Sequence, residues 1–574
     1  MQRLFLSFVV VSLGCLVIPA DLNAQTGWDY VHRAEQWEDH DQYDKAIPEY
    51  NEALRLAGGS DSNLAAAAYN GRGNVWKHQG EYDKAIADYN EALRLADPQQ
   101  TANIAGIYSS RGNAWDLKHE YDKAIADHDK ALSLNPKFAM GYCNRGGHWN
   151  FIYKYDKAIA DYNQAIELNP RYTDAYHNRG IAWSVKGEYD KAIADFDQAI
   201  RLDPNNAKAY YLRGFARKKL GEYDQAIDDF NQAIRLKPDN ALTYFQRGAA
   251  WDHKGESDKA LADYDQAIRL NPGNADVYLS RGTIWYEKDE YDKALADFNE
   301  AIRLNSVEEG GYINRSNVWA EKGEYDKAIA DCDKALRIAP RAYIAYVNRG
   351  SAWRDKGEYD KALADYSQAL SRDPHLAEQI YYNRGLLWSA NGEYDKAVAE
   401  FDKSLALNPK FAAAYRDRGA ARRMKGEYDK ALADYNQALA VDSGNVHTYA
   451  ELAWLQATCP EAKYRDGNKA YENASKAYQM TKGKQGKPVD ALAAAYAECG
   501  DFEKAREWEL KAIDLAIAEK DKETYRSHLE VYKQGKPYRE GPQTPASPRI
   551  EHLRPSPFST PAAPATPAPA PAPF

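Results

Sequence analysis

The sequence predicts an all-α solenoid of stacked helical hairpins, and three observations carry that prediction. The hexapeptide Gly-Glu-Tyr-Asp-Lys-Ala recurs verbatim from Gly80, Gly187, Gly323, Gly357, Gly392 and Gly426. Its tyrosine, replaced once by Ser257, is spaced by 34 residues throughout from Tyr121 to Tyr359, and by 39 over the first two intervals from Tyr43. Within each period two apolar stripes of helical spacing alternate, one ended by Gly and the other followed by Pro.

The chain opens with Arg3, an apolar run of 15 residues from Leu4 to Ile18, then Pro19, Asp21 and a small-residue cleavage site at Ala24. The run is shorter than the ~20 residues that span a bilayer, so residues 1–24 are expected to be a secretory signal. Cys15 follows Leu13-Gly14 and raises a second reading, a lipid anchor at Cys15. Against it, Ser12 is a poor residue at the start of such a motif and the apolar run continues past the cysteine.

The period from Tyr176 to Pro204 shows why each unit folds. Tyr176, Gly180 and Trp183 form one helical stripe, and Tyr189, Ala192, Ile193, Phe196, Ala199 and Ile200 form the next. Gly187 between them is suited to the left-handed conformation that ends a helix. Glu188 and Asp190 favour the positive end of the second helix, and Pro204 cannot continue it. Gly180 and Ala192 are expected to let the two helix backbones approach, with Tyr176 and Trp183 filling the space between hairpins. One hairpin cannot bury both stripes alone, so stacking is required.

Tyr176, Gly180, Trp183, Tyr189, Ala192, Phe196, Ala199 and Pro204 resemble the tetratricopeptide repeat signature almost column for column. The resemblance covers twelve units over residues 28–443 and, more loosely, two divergent hairpins over 444–532 that look like the C-terminal end of exported bacterial repeat proteins of this type. It implies a right-handed superhelix whose concave groove holds an extended peptide or a short helix. The signature's tryptophan is replaced twice, by Arg217 and Arg422.

One departure is systematic. Where the family has Leu before the small residue, every unit has Arg, including Arg179, Arg213, Arg247 and Arg281. Each second helix answers with an acid six residues after its tyrosine or Ser257, including Asp195, Asp229, Asp263 and Asp297. An Arg–carboxylate ladder is expected, because bidentate pairing is how a half-buried guanidinium is satisfied. The rival reading is an Arg row presented to an acidic ligand.

Columns that vary while their neighbours stay fixed are groove candidates. The column after the first-helix tyrosine supplies Tyr211, Phe245, Leu279 and Ile313, with Phe215 beside it; the column before the Arg supplies amides at Asn144, Asn178, Asn314, Asn348 and Asn383. The alternative is that these side chains pack between neighbouring hairpins. No Lys stands in the first of these columns, which disfavours the grip on a terminal carboxylate that chaperone-tail-binding relatives use.

Composition bounds the function. The chain is 44% hydrophobic with a net charge of −10 and interspersed charges, which gives no basic footprint for nucleic acid. Removing signal, repeats and the Pro/Ala-rich tail at 541–574 leaves no segment of domain size for catalysis, and no metal or cofactor arrangement stands out among the 12 His and 5 Cys. Cys459 and Cys499 fall about one helix spacing apart, too far for an easy disulfide. The expected function is an interaction scaffold outside the cytoplasm, binding a protein or peptide. The alternatives are an envelope-anchored lipoprotein subunit of an assembly and a regulatory partner of a separate enzyme.

Overall fold

The computed structural model describes residues 26–516 and 519–540. The expected signal at 1–24, Cys15 and the tail at 541–574 lie outside the described residues. Those residues form 29 α-helices and two short 3-10 turns, without a strand.

The helices fall into two compact units, divided at Leu270 and Asn271. The first holds seven hairpins, from Gly27–Asp39 with Tyr43–Ala57 to Ala241–His253 with Ser257–Leu270. The second holds five regular hairpins from Ala275–Glu287 to Tyr428–Val441, then Val446–Thr458 with Gly467–Met480 and Gly486–Glu498 with Phe502–Leu515. The stretch assigned to two divergent hairpins also contains a single further helix, Glu519–Lys533. No helix among the described residues is long and apolar enough to cross a membrane.

Hairpin geometry follows from the repeat. Helix Thr173–Val185 ends with Gly187 at φ 78, where the Glu188 N–H returns to the Trp183 carbonyl at 3.0 Å and the Gly187 N–H to that of Ser184 at 3.1 Å. This pair of bonds satisfies carbonyls the helix end would otherwise leave open. After the second helix, Asn at the turn caps the next first helix: Asn206 accepts from the Ala209 N–H at 3.0 Å, and Asn445 from that of Thr448 at 3.0 Å.

A Cβ at Gly180 would lie 2.7 Å from Cε1 of Phe196, so the missing side chain admits an aromatic ring; at the equivalent Gly214 a Cβ would also lie 3.1 Å from the Ala226 backbone oxygen, the close backbone approach expected of this column. The rings of Tyr162, Phe196, Phe230, Phe298, Tyr366 and Phe401 are buried in this column. One hairpin inverts the pairing: Ser316 occupies the glycine place opposite Cys332, which occupies the ring place, and both are buried. Trp183 is half-buried and packs against Ala192, Phe196 and Leu212, the last on the next hairpin, with Lys191 4.6 Å and Lys186 5.8 Å from the ring centroid; Tyr176 packs on Ile200 and Ala209, so both fill space between hairpins as expected. Cys143, Cys332, Cys459 and Cys499 are free thiols, and all but Cys499 are buried.

Candidate partner-binding face

The Arg column turns inward onto the carboxylates of the second helices, with Arg384 the one incomplete rung among the described residues. Arg179 donates from Nε to Asp195 at 2.8 Å and from Nη2 to its other oxygen at 2.6 Å, while Nη1 reaches Asn163 of the preceding hairpin at 2.5 Å. Arg213 pairs likewise with Asp229 and Asp197, Arg247 with Asp263 and Asn231, and Arg281 pairs with Asp297. Each of Arg179, Arg213 and Arg247 therefore staples its own second helix to the one before it. This second arm was readable in the sequence, since an Asp or Asn stands two residues after most ladder acids, but it was not anticipated. The two units that lack the tryptophan also explain themselves. Arg217 and Arg422 each add a further donor to a ladder acid, at 2.8 Å from Asp229 and 2.8 Å from Asp434.

The ladder specifies position more than it adds stability. Burial pushes the Asp195 carboxyl up against the opposing pull of Arg179. Desolvation of a half-buried pair offsets most of its Coulombic gain.

The proposed groove columns divide between half-buried and buried. Tyr211, Phe215 and Phe245 are half-buried on first helices of the N-terminal unit, with Tyr211 6.0 Å from the Phe230 ring and Phe245 5.9 Å from that of Tyr264. Leu279 is half-buried against Phe298 and its neighbours. Ile313 is a correction: it is 6% exposed and packs on Ala335 and Ala345, so it is core and offers nothing to a partner. Asn383 is buried too, taking a hydrogen bond from Gln379 at 3.3 Å. Asn144 and Asn348 spend their amide N–H groups on Ser109 at 3.0 Å and Ser316 at 3.4 Å of the preceding hairpins. These amides tie hairpins together instead of waiting for a peptide backbone. The Asn178 carbonyl receives Asn150 at 3.3 Å, and Asn178 and Asn314 remain half-buried.

A second column carries titratable groups that burial perturbs. The residue after the tryptophan place is charged or polar in much of the N-terminal unit: Glu38, Lys77, Asp116, Lys218 and Asp252. Burial pushes the Glu38 and Asp252 carboxyls up and the Lys77 ammonium down. Against burial, hydrogen bonds from His128 and His148 hold the Asp116 carboxyl low. Burial brings Lys218 down to about 8; its ammonium donates to Gln246 at 2.6 Å and lies 5.8 Å from the Phe215 centroid. Perturbed groups in one column beside half-buried rings mark a candidate binding face. The signal was a column of changing charge within fixed neighbours.

In the C-terminal unit the corresponding columns close over themselves. Arg416 pairs with Asp417 at 2.7 and 2.8 Å, Tyr382 donates to Asp417 at 2.8 Å, and Lys487 reaches Glu451 at 2.5 Å, all but Lys487 buried. Arg423 meets Glu451 at 3.3 Å and also Glu540, whose N–H donates to the Thr458 carbonyl at 3.0 Å. The segment after the last helix thus lies on the first helices of this unit.

No metal arrangement stands out among the histidines in the sequence, yet the fold brings some of them to carboxylates. His128 and His148 both bind Asp116, and His528 lies between Asp490 and Glu509, from three different helices. Neither grouping has a local spacing, so neither was visible as a motif.

Comparison with known proteins identifies the repeat. Models described as TPR repeat match residues 154–183 and 186–221, and models described as tetratricopeptide repeat match 66–97, 207–240, 253–309, 310–342, 343–376 and 378–411. No curated protein matches. Among solved structures, YrrB, described as a TPR protein with an unusual peptide-binding site, is 27% identical at TM-score 0.28, covering 31% of this chain and 92% of its own. A tetratricopeptide repeat protein from Parabacteroides merdae is 22% identical at TM-score 0.34, covering 42% and 93%. The APC/C hetero-tetramer Cut9–Hcn1 gives 14% identity at TM-score 0.39, covering 81% and 96%. With its repeated hairpins and these family matches, the chain belongs to the tetratricopeptide repeat family and is a protein-interaction scaffold.

Proposed function

We propose that this scaffold acts outside the cytoplasm and holds an extended peptide or short helix on the first-helix face of its N-terminal unit, around Tyr211, Phe215 and Phe245. The observation that carries the reading is the half-buried trio of rings, with Phe215 5.8 Å from Lys218, whose ammonium is brought down by burial. Apolar anchors flanked by a desolvated charge are the usual composition of a binding hot spot, and an acidic residue in the ligand would answer Lys218. Export rests on the apolar run from Leu4 to Ile18 and the small residue at Ala24.

The test is selection of displayed peptides on the full chain, followed by titration of the enriched peptides. Apolar sequences carrying an acid are expected, and a Tyr211→Ala/Phe245→Ala variant should weaken them more than about tenfold with its helical circular dichroism unchanged. Equal affinity in the variant would sink the groove assignment. Mass spectrometry of the mature N-terminus tests the location: a chain starting at Gln25 supports export as a free protein, a lipidated Cys15 supports the envelope-anchored alternative, and an intact Met1 refutes both.

A further inference from the structure

Three helices of the C-terminal unit bring Asp490, Glu509 and His528 together: Gly486–Glu498, Phe502–Leu515 and Glu519–Lys533. All three residues are buried, Glu509 and His528 to within 1% of full enclosure. His528 Nδ1 lies 2.9 Å from Asp490 Oδ1 and 3.6 Å from Glu509 Oε1. One donor atom from each residue falls within 4.8 Å of the other two.

The grouping is poorly satisfied by the protein alone. Both oxygens of Glu509, Nε2 of His528 and the hydroxyl of Tyr532 are buried without a hydrogen-bond partner. Among the described residues, no Lys or Arg forms an ion pair with either carboxylate. The rings of Trp454 and Tyr538, 5.0 and 4.4 Å from that of His528, wall the pocket. Of the two carboxylates only Asp490 is hydrogen-bonded, to His528, and the buried oxygens of Glu509 are left without a donor, a state that persists where something compensates it.

We propose that Asp490, Glu509 and His528 are ligands of a divalent metal ion, with zinc the ion whose preferences they fit. Two carboxylates and a neutral imidazole carry a charge of −2, which a divalent cation cancels. Zinc accepts imidazole nitrogen and carboxylate oxygen at about 2.0–2.2 Å, so tetrahedral ligands stand about 3.3 Å from one another, and the spacings of 2.9 and 3.6 Å bracket that value. Imidazole selects against magnesium and calcium, which prefer all-oxygen shells. The ion would fasten the last helix, Glu519–Lys533, to the hairpin before it. That helix leads into the segment whose Glu540 reaches Arg423.

The experiment is calorimetric titration of the EDTA-stripped full chain with zinc, and with magnesium as a control. One zinc per chain is expected, absent with magnesium, and weakened more than about a hundredfold by Glu509→Gln and by His528→Gln. Cobalt on the unmodified chain gives a readout that needs no variant: visible bands of an oxygen and nitrogen shell are expected, without thiolate charge transfer. Absence of zinc binding would overturn the assignment. So would wild-type affinity in both variants, which places the zinc elsewhere, or a thiolate band, which places it on cysteine.

Discussion

Arg179 meets Asp195 through two parallel bonds, Nε and Nη2 each facing a separate carboxylate oxygen at 2.8 and 2.6 Å. The Arg side chain is 19% exposed and the Asp 7%, so removing one partner strands the other out of water. Arg179→Leu should cost about 2–4 kcal/mol, whereas Arg179→Leu with Asp195→Leu should return to within about 1 kcal/mol of wild type. Urea denaturation of the two variants measures both. A ligand-facing role would instead leave the single variant as stable as wild type.

Ser316 and Cys332 predict a second non-additive pair. Every regular neighbour in the C-terminal unit sets a glycine against a ring, such as Gly350 against Tyr366, where a Cβ would lie 2.9 Å from Cε1. Cys332→Phe alone drives a ring into the Ser316 side chain and should destabilise by about 1–3 kcal/mol. Adding Ser316→Gly should recover that loss and exceed wild type, a coupling a double-mutant cycle reads directly. Additive effects would show that the two positions do not share one space.

The hairpins were legible because their determinants are local and repeated: the Gly187 turn, the stripe through Phe196 and the Arg179–Asp195 spacing each recur at fixed distance. The candidate face was legible in part. Side-chain type picked out Tyr211 and Phe245, but type cannot say whether a column faces solvent or the core, and Ile313 and Asn383 are buried. The pairing of Asp490, Glu509 and His528 depends on how three divergent helices pack, and nothing in their spacing records that packing.

His177 should make the N-terminal unit acid-sensitive. It is 7% exposed, edge-on to Phe196 at 6.0 Å, and burial, with a smaller push from Lys208, brings its imidazole down to about 4. The folded pKa lies below the unfolded value of about 6.5, so the unfolded chain binds the proton first and stability is lost as pH falls from 6.5 through 4. The slope approaches about 1.4 kcal/mol per pH unit over that window. His177→Val, the residue that Val347 places in the same column, should abolish this contribution. Denaturation midpoints of both proteins at pH 7.5 and 4.5 check it: an equal fall in both would assign the sensitivity to other groups.

The ladder breaks at one joint, and the break can be repaired. Arg384 reaches Glu400 at 3.3 Å through one nitrogen, its Nε is buried without a partner, and so is Oε2 of Glu400. Two substitutions in the sequence account for this. Glu400 is one methylene longer than the aspartates of the other rungs in this unit, and Ser367, where the preceding hairpin elsewhere offers Asp or Asn, turns its hydroxyl to the Leu363 carbonyl at 2.7 Å. The chain is also displaced here, with a 3-10 turn at Pro374–Leu376 before the next first helix. Restoring the rung with Glu400→Asp and Ser367→Asn gives Arg384 both arms of the staple and should stabilise the C-terminal unit by about 1–3 kcal/mol. Amide hydrogen exchange should slow in the helices Tyr359–Arg372 and Ala377–Ala390 on either side of the joint. Unchanged exchange there would mean that the displaced backbone, and not the missing carboxylate geometry, sets the weakness.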